Sequence, residues 1–158
     1  MIRHQDMSLT ESLTQFRCVN RLDLQASHRP IWMAQLGHFI MPLPNFKWRR
    51  EVIDRHDVHH LITGYETTPS GELALAAWEL GVKCYVTKGA RGLCFILAVL
   101  GVLYQPRMTY RAYKRGKCQA KLYAILNQTG FMDMSLQDVQ ATLAEGKVRG
   151  QAERKTLQ

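Results

Sequence analysis

The stretch "RHDVHHLITGY", residues 55–65, holds three of the six histidines of the chain beside an aspartate. On a helix that turns by about 100° per residue, His56, Asp57 and His60 share an arc of about 100°, whereas His59 points to one side. Residues four apart on a helix have Cβ atoms about 5–6 Å apart, so His56 and His60 can converge on one cation. This spacing, with the carboxylate of Asp57, predicts three ligands for a divalent metal ion.

A further ligand is expected from the next element, and three glutamates follow the stretch. Glu66 lies in the predicted loop, and Glu79 lies nearly two turns beyond Glu72. Glu72 falls in the first turn of the following helix, which folds back if the loop makes an antiparallel helix pair. Glu72 is therefore the predicted fourth ligand, and His59 and Tyr65 are predicted to orient the ligands or to transfer protons. Spacing alone leaves open that these histidines lie on the solvent-facing side of an ordinary helix.

The elements that must position these residues are predicted to be helices. Helix-capping patterns are frequent along the chain, and strand-like alternation is hard to find. The chain of 158 residues suits one domain with one core. We therefore expect an all-α fold, a single helical bundle of six or seven helices with short loops, in which 146–158 form a flexible tail. The predicted helices run from Ser8 to about Leu22, Arg29 to Ile40 with Pro30 near the start, about Asn45 to Gly64, Glu72 to Leu80, Gly92 to Tyr104, Arg107 to Leu126 and Ser135 to about Gly146.

The positive charge belongs to the second half of the chain. Residues 80–158 carry 13 basic and 4 acidic side chains, whereas residues 1–79 carry 8 basic and 9 acidic ones. A positive field of this kind attracts anionic membranes, acidic ligands or nucleic acid. Nucleic acid is not expected as a partner, because binding to it would leave the histidine cluster unexplained. Six of the basic residues fall within one acid-free stretch: Arg107, Arg111, Lys114, Arg115, Lys117 and Lys121.

The most apolar run of the chain is 92–104, "GLCFILAVLGVLY", which is shorter than the stretch of about 20 residues that crosses a membrane. Because the run has no polar face, we expect it to lie in the core or against an apolar ligand. The four cysteines are far apart, and the first residues lack the order of a signal peptide, so a reduced, cytosolic protein is expected.

The stretch "RHDVHHLITGYETTPSGELALAAWELG" resembles the coenzyme Q (ubiquinone) biosynthesis family known as the fourth protein of the eukaryotic set, in its short bacterial form. His56, Asp57, His60 and Glu72 match the four metal-ligand positions of the pattern that marks this family. The resemblance continues more faintly through 112–126 and "SLQDVQATL" and covers about two thirds of the chain. "NQTGFMDM" replaces the tryptophan and acid that often precede the last helix of the family.

This resemblance implies an all-helical fold and a divalent metal that is usually zinc. It also implies removal of the carboxyl group from ring carbon one of a polyprenylated hydroxybenzoate, an oxidative decarboxylation where hydroxylation of the same carbon, which is attributed to the family, accompanies it. It implies a protein on the inner face of the membrane, with a prenyl lipid, other quinone biosynthesis proteins and a second copy of the chain as partners. The basic helix after Pro106 would then face anionic headgroups, with four aromatic residues at the interface: Trp78, Tyr104, Tyr110 and Tyr113.

Two other functions stay open from the residues alone. The same fold could bind prenylated intermediates without catalysis and organise other enzymes at the membrane, with a metal that is only structural. The "HD" pair at 56–57 also suits a His-Asp metal-dependent phosphohydrolase, which needs a histidine upstream and an aspartate downstream. His38 is the available histidine, and Asp133 or Asp138 is the available aspartate.

Overall fold

The computed structural model describes residues 7–20, 29–36, 39–85 and 87–145 and confirms the helical fold class. The expected tail at 146–158 lies outside the described residues. In chain order the elements are α1 (Leu9–Val19), β1 (Ile31–Leu36), β2 (Phe39–Pro44), α2 (Lys47–Thr63), α3 (Pro69–Val82), α4 (Lys88–Tyr104), α5 (Pro106–Thr129), a 3-10 helix (Phe131–Asp133) and α6 (136–145).

The predicted helix over 29–40 is wrong, because β1 and β2 form an antiparallel hairpin there. Ile31 pairs with Pro44 at the open end of this hairpin, and Met33 pairs with Pro42. A two-stranded sheet has only edges, and an edge strand tolerates proline, which cannot donate a backbone hydrogen bond. The pairing joins residues on two segments, so the local helix signals of either segment alone could not show it.

Several helix ends follow the sequence signals closely. Ser8 and Glu11 form the predicted capping box at the start of α1. Gly64 ends α2 with a φ of 76°, the left-handed conformation expected of a glycine after a helix. The Thr68 hydroxyl accepts the backbone N–H of Gly71, so α3 begins at Pro69, three residues earlier than predicted. These signals bring Glu72 into the first turn of α3.

The helix α3 lies at the centre of the core, and ten of its residues are buried. It packs against α4 and α5, and the closest approach to α5 is made by Gly81 and Gly116. Trp78 is fully buried, and its indole N–H donates to Gln119 Oε1 on α5 over 2.7 Å. The predicted place of Trp78 at a membrane interface is therefore wrong, whereas Tyr104, Tyr110 and Tyr113 are exposed.

The helix α4 is only partly in the core, so of the two places expected for its apolar run the core accounts for the inner face alone. Small side chains make its inner face, since its buried residues are Ala90, Cys94, Ala98 and Gly101. Large apolar side chains cover its outer face: Phe95, Ile96, Val99, Leu100, Val102, Leu103 and Tyr104. Among the described residues, no helix combines the length and the apolar character that crossing a membrane requires.

Candidate metal centre

Two imidazoles of α2 and one carboxylate of α3 meet at one point. The Nε2 atom of His56 lies 3.2 Å from Oε2 of Glu72, and Nε2 of His60 lies 3.2 Å from Oε1 of the same carboxylate. One ligand atom from each of the three residues lies within 4.8 Å of the other two. The structure thus brings together three of the four predicted ligands, which are of the types that zinc and related ions prefer.

The other ring nitrogen of His56 and that of His60 each have a hydrogen-bond acceptor of their own. His56 Nδ1 lies 3.0 Å from Oε1 of Glu79, and His60 Nδ1 lies 2.8 Å from the carbonyl oxygen of Tyr65. Gly64 turns the chain so that this carbonyl faces back toward α2. Tyr65 therefore contacts a predicted ligand through its backbone, while its ring lies beside the Arg115 guanidinium.

The Nε2 atom of His60 is buried and makes no hydrogen bond within the described part of the chain. Its Nδ1 atom donates to a carbonyl, so in the neutral ring the lone pair is on Nε2 and points toward Glu72. A buried nitrogen without a hydrogen bond is costly, and a metal ion at this point would satisfy it. The residues present therefore fit a divalent cation.

Asp57, the remaining predicted ligand, is not among the three residues that meet. It lies on the wall of a cavity that opens onto these three residues, but its Oδ2 accepts from Arg17 Nε of α1 over 2.8 Å. The guanidinium of Arg17 also pairs with Asp54, one turn earlier on α2. The reason is tertiary, because α1 packs on the side of α2 toward which Asp57 points.

Glu79 was not chosen as a ligand from the sequence, but in the structure it contacts the predicted ligand His56. It is fully buried, and its Oε1 accepts from His56 Nδ1, His59 Nδ1 and the Tyr85 hydroxyl. Its Oε2 accepts from the Cys94 thiol. The sequence does contain a signal for the position of Glu79. Residues seven apart share one face of a helix, and Glu79 follows Glu72 by seven.

His59 lies apart from the three converging residues, as its angle on the helix predicts. It is completely buried, with Nδ1 2.7 Å from Glu79 and Nε2 2.6 Å from the Tyr123 hydroxyl of α5. With Cys84, His59 and Glu79 form a second group of potential ligand atoms within 4.8 Å. Both ring nitrogens of His59 already have hydrogen-bond partners, so this group is a satisfied buried network.

The charges of the site are strongly coupled. Burial lowers the pKa of His56, but the charge of Glu79 and the hydrogen bond to Glu72 outweigh burial and raise it well above its usual value. Burial raises the pKa of Glu72, but the hydrogen bond to His56 and the charges of His56 and His60 outweigh burial and lower it to about 2. Glu79 follows the same pattern, with a pKa well below its usual range. Burial also raises the pKa of Asp57, although Arg17 opposes this.

A cavity of about 590 Å³ opens onto the three converging residues. This volume is within the range typical of small-molecule sites, about 300–1,000 Å³. Arg49 adds a cation to the wall, since burial lowers its pKa only to about 10. The apolar part of the wall comes from α2, α4 and the segment between α3 and α4: Trp48, Val52, Ile53, Tyr85, Ala90, Leu93 and Leu97.

The two aspartates considered for a phosphohydrolase lie away from this site. Asp133 and Asp138 are exposed on the 3-10 helix and α6, and neither lines the cavity. His38 lies outside the described residues.

Comparison of the chain with models of known families, with curated proteins and with solved structures finds no match. The residues of the site therefore carry the functional proposal.

Proposed function

We propose that the protein is a metal-dependent decarboxylase of ubiquinone biosynthesis that acts on a polyprenylated hydroxybenzoate. The observation that carries the proposal is the convergence of His56 Nε2 and His60 Nε2 on the carboxylate of Glu72 at an apolar cavity. The resemblance of residues 55–81 to the quinone biosynthesis family supplies the substrate class. Asp57 as a fourth ligand stays a prediction.

Three protein ligands leave a coordination position for substrate, as catalytic zinc sites do. A divalent ion held by His56, His60 and Glu72 would supply a Lewis acid that stabilises the electron-rich ring as carbon dioxide leaves. Arg49 lines the same cavity and is charged at neutral pH, so it can receive the substrate carboxylate before it is lost. The ring carbon keeps the electron pair of the broken bond and takes up a proton.

The helix α4 offers a continuous apolar path for the isoprenoid tail. Leu93 and Leu97 line the cavity, and Leu100 and Tyr104 continue the same helical face toward the end of α4. Leu100 and Tyr104 are exposed, so the path leads from the cavity to the surface. A long apolar tail can therefore leave the cavity along this helix while the aromatic ring stays beside the metal ligands.

The outer face of α4 and the basic side of α5 together suit an anionic bilayer. The face of α4 is apolar, and Leu103 and Tyr104 are 78% and 76% exposed. The next helix carries exposed basic side chains, and each one near an anionic surface contributes about 1 kcal/mol to binding. These exposed basic residues are Arg107, Arg111, Lys114, Lys117 and Lys121. We propose that this surface holds the protein at the membrane where its prenylated substrate is dissolved.

Metal analysis of the purified protein tests the site directly. We expect one divalent ion per chain in the wild type and its loss in His60→Ala, because the buried Nε2 of His60 has no hydrogen-bond partner among the residues that the structure describes. Glu66→Ala is the matched control, since Glu66 is exposed and does not line the cavity. Equal metal content in the wild type and His60→Ala would disprove the proposed site.

The Glu72→Ala variant separates the enzyme from a scaffold that only binds prenyl lipids. We expect this variant to fold and to bind lipid vesicles while losing turnover of the carboxylated precursor, measured as carbon dioxide release. Unchanged turnover in Glu72→Ala would favour catalysis elsewhere, and no turnover even in the metal-loaded wild type would favour the scaffold.

A further inference from the structure

Glu79 is an ionisable group of the core, only 2% exposed, that borders the cavity, and both of its carboxylate oxygens already accept hydrogen bonds. Its oxygens accept four hydrogen bonds, from His56, His59, Tyr85 and Cys94, at distances between 2.7 and 3.2 Å. Burying a carboxylate is costly, and a polar network of this kind is retained where it specifies one arrangement of the groups around it.

The contact with His56 selects one ring nitrogen as the ligand. A carboxylate only accepts hydrogen bonds, so Glu79 holds a proton on Nδ1 of His56, 3.0 Å away. Nε2 also faces a carboxylate, that of Glu72, and a cation bound between the two residues would replace the proton on Nε2 and leave the one on Nδ1. The lone pair is then on Nε2, which faces the carboxylate of Glu72. Metal-binding histidines usually donate their other N–H to a carboxylate or a backbone carbonyl, which fixes the tautomer and the ring orientation.

The two predicted histidine ligands are held by different means. For His60 the acceptor is the carbonyl of Tyr65, which the backbone at Gly64 places and which no side-chain substitution removes. For His56 the acceptor is a side chain on another helix. The orientation of His56 therefore depends on how α3 packs against α2.

The carboxylate of Glu79 also ties this packing to α5. Its Oε1 accepts from His59, and the other nitrogen of His59 meets the Tyr123 hydroxyl. A chain of hydrogen bonds thus runs from α5 through His59 and Glu79 to His56. The ring of His59 packs edge-on against Trp78 and Tyr123, which leaves it little freedom to turn.

We infer that Glu79 is the positioning residue of the metal site, holding His56 so that Nε2 is presented to the ion and anchoring α2 on α3 through His59. The inference rests on the proposed metal site, not on the substrate or the reaction. His59 is then an anchor of the site, which corresponds to the first of the two roles predicted for it, orienting the ligands.

The test measures zinc affinity by competition with a chelator, and the visible spectrum of the cobalt-loaded protein, in the wild type and in Glu79→Gln. The amide keeps the shape but loses the charge and one acceptor oxygen. We expect zinc affinity to fall about 10- to 100-fold, as for other groups behind metal-bound histidines, and the cobalt bands to shift. Tyr85→Phe is the control, because it removes one hydrogen bond to Glu79 and leaves the His56 contact in place.

Wild-type affinity and spectrum in Glu79→Gln would overturn the inference, and so would an equal loss in Tyr85→Phe, which would indicate a general packing effect. Loss of a second bound ion with the first unaffected would show that His59, Glu79 and Cys84 hold a metal themselves, which also overturns it. The His60→Ala variant distinguishes a failure of the proposed metal site from a failure of the positioning role of Glu79. If it keeps its metal, the site itself is wrong; if it loses its metal while Glu79→Gln binds normally, only the positioning role fails.

A measurement on the wild type covers the case in which Glu79→Gln does not fold. Nitrogen NMR of the protein loaded with spin-active cadmium shows which ring nitrogen of each histidine is bound to the ion. We expect coupling to Nε2 of His56, with a hydrogen-bonded proton on Nδ1. Coupling to Nδ1 of His56 would overturn the inference without any substitution.

Discussion

The Nε2 atom of His60 lies 3.2 Å from Oε1 of Glu72, is completely buried and makes no hydrogen bond among the described residues. The two residues come from consecutive helices, and Gly64 and the short loop after it bring them together. His56 reaches the second oxygen of the same carboxylate, so one glutamate faces two imidazoles. This relationship is the main reason to expect a metal ion between α2 and α3.

The pairing of Asp57 with Arg17 predicts that Asp57 matters more for stability than for metal affinity. Asp57→Asn should weaken zinc binding less than Glu72→Gln, because the Asp57 carboxylate is directed to Arg17. Asp57→Asn should also destabilise the fold, and a double-mutant cycle with Arg17→Gln measures the coupling, expected at about 1–3 kcal/mol for a partly buried charged pair. A loss of zinc affinity equal to that of Glu72→Gln would show that Asp57 leaves Arg17 to bind the ion.

Two glycines on different helices should respond in opposite ways to alanine. A Cβ at Gly116 would lie 2.3 Å from the carbonyl oxygen of Trp78, where α3 and α5 cross. We expect Gly116→Ala to lower the free energy of unfolding by about 1–3 kcal/mol, measured by urea denaturation. Gly92 on α4 meets nothing within 4 Å, so Gly92→Ala should raise stability by up to about 1 kcal/mol. Equal effects of the two substitutions would contradict the close crossing.

The exposed face of α4 should bind anionic vesicles. Phe95→Ser combined with Leu103→Ser should reduce sedimentation with vesicles of phosphatidylcholine and phosphatidylglycerol by at least about tenfold, since burial of each side chain contributes about 1.5–3 kcal/mol. Val19→Ser on α1 is the control, because Val19 is equally exposed but far from this face in the chain. Binding should weaken as salt is added, because the basic residues of α5 contribute through charge. Equal binding by the double variant and the control would exclude this face as the membrane contact.

The metal-free protein should lose stability in acid. The pKa of Glu72 is lowered to about 2 in the folded chain, against 4.5 in its unperturbed state. The unfolded chain therefore binds protons first, so the stability contributed by Glu72 is complete above pH 4.5 and is lost as the pH falls toward 2. The loss is about 3 kcal/mol at most. The midpoint temperature of thermal unfolding should depend less on pH in Glu72→Gln than in Glu66→Gln. An equal dependence in both variants would contradict the coupling of Glu72 with the histidines.

Local patterns determined a large part of this fold. The capping box at Ser8, the left-handed Gly64 and the spacing of His56 and His60 act within one or two helical turns, so the sequence alone predicts them. Glu72 could be predicted as well, since a short loop between two helices leaves few ways for the chain to return.

Only the tertiary structure decided the rest. The hairpin of β1 and β2, the pairing of Asp57 with Arg17, and the burial of Trp78 depend on which surfaces pack together. Such packing joins residues distant in sequence, whose contacts no local period encodes. Glu79 shows the difference: its place on the face of Glu72 could be read from the sequence, but its burial against His56 and His59 could not.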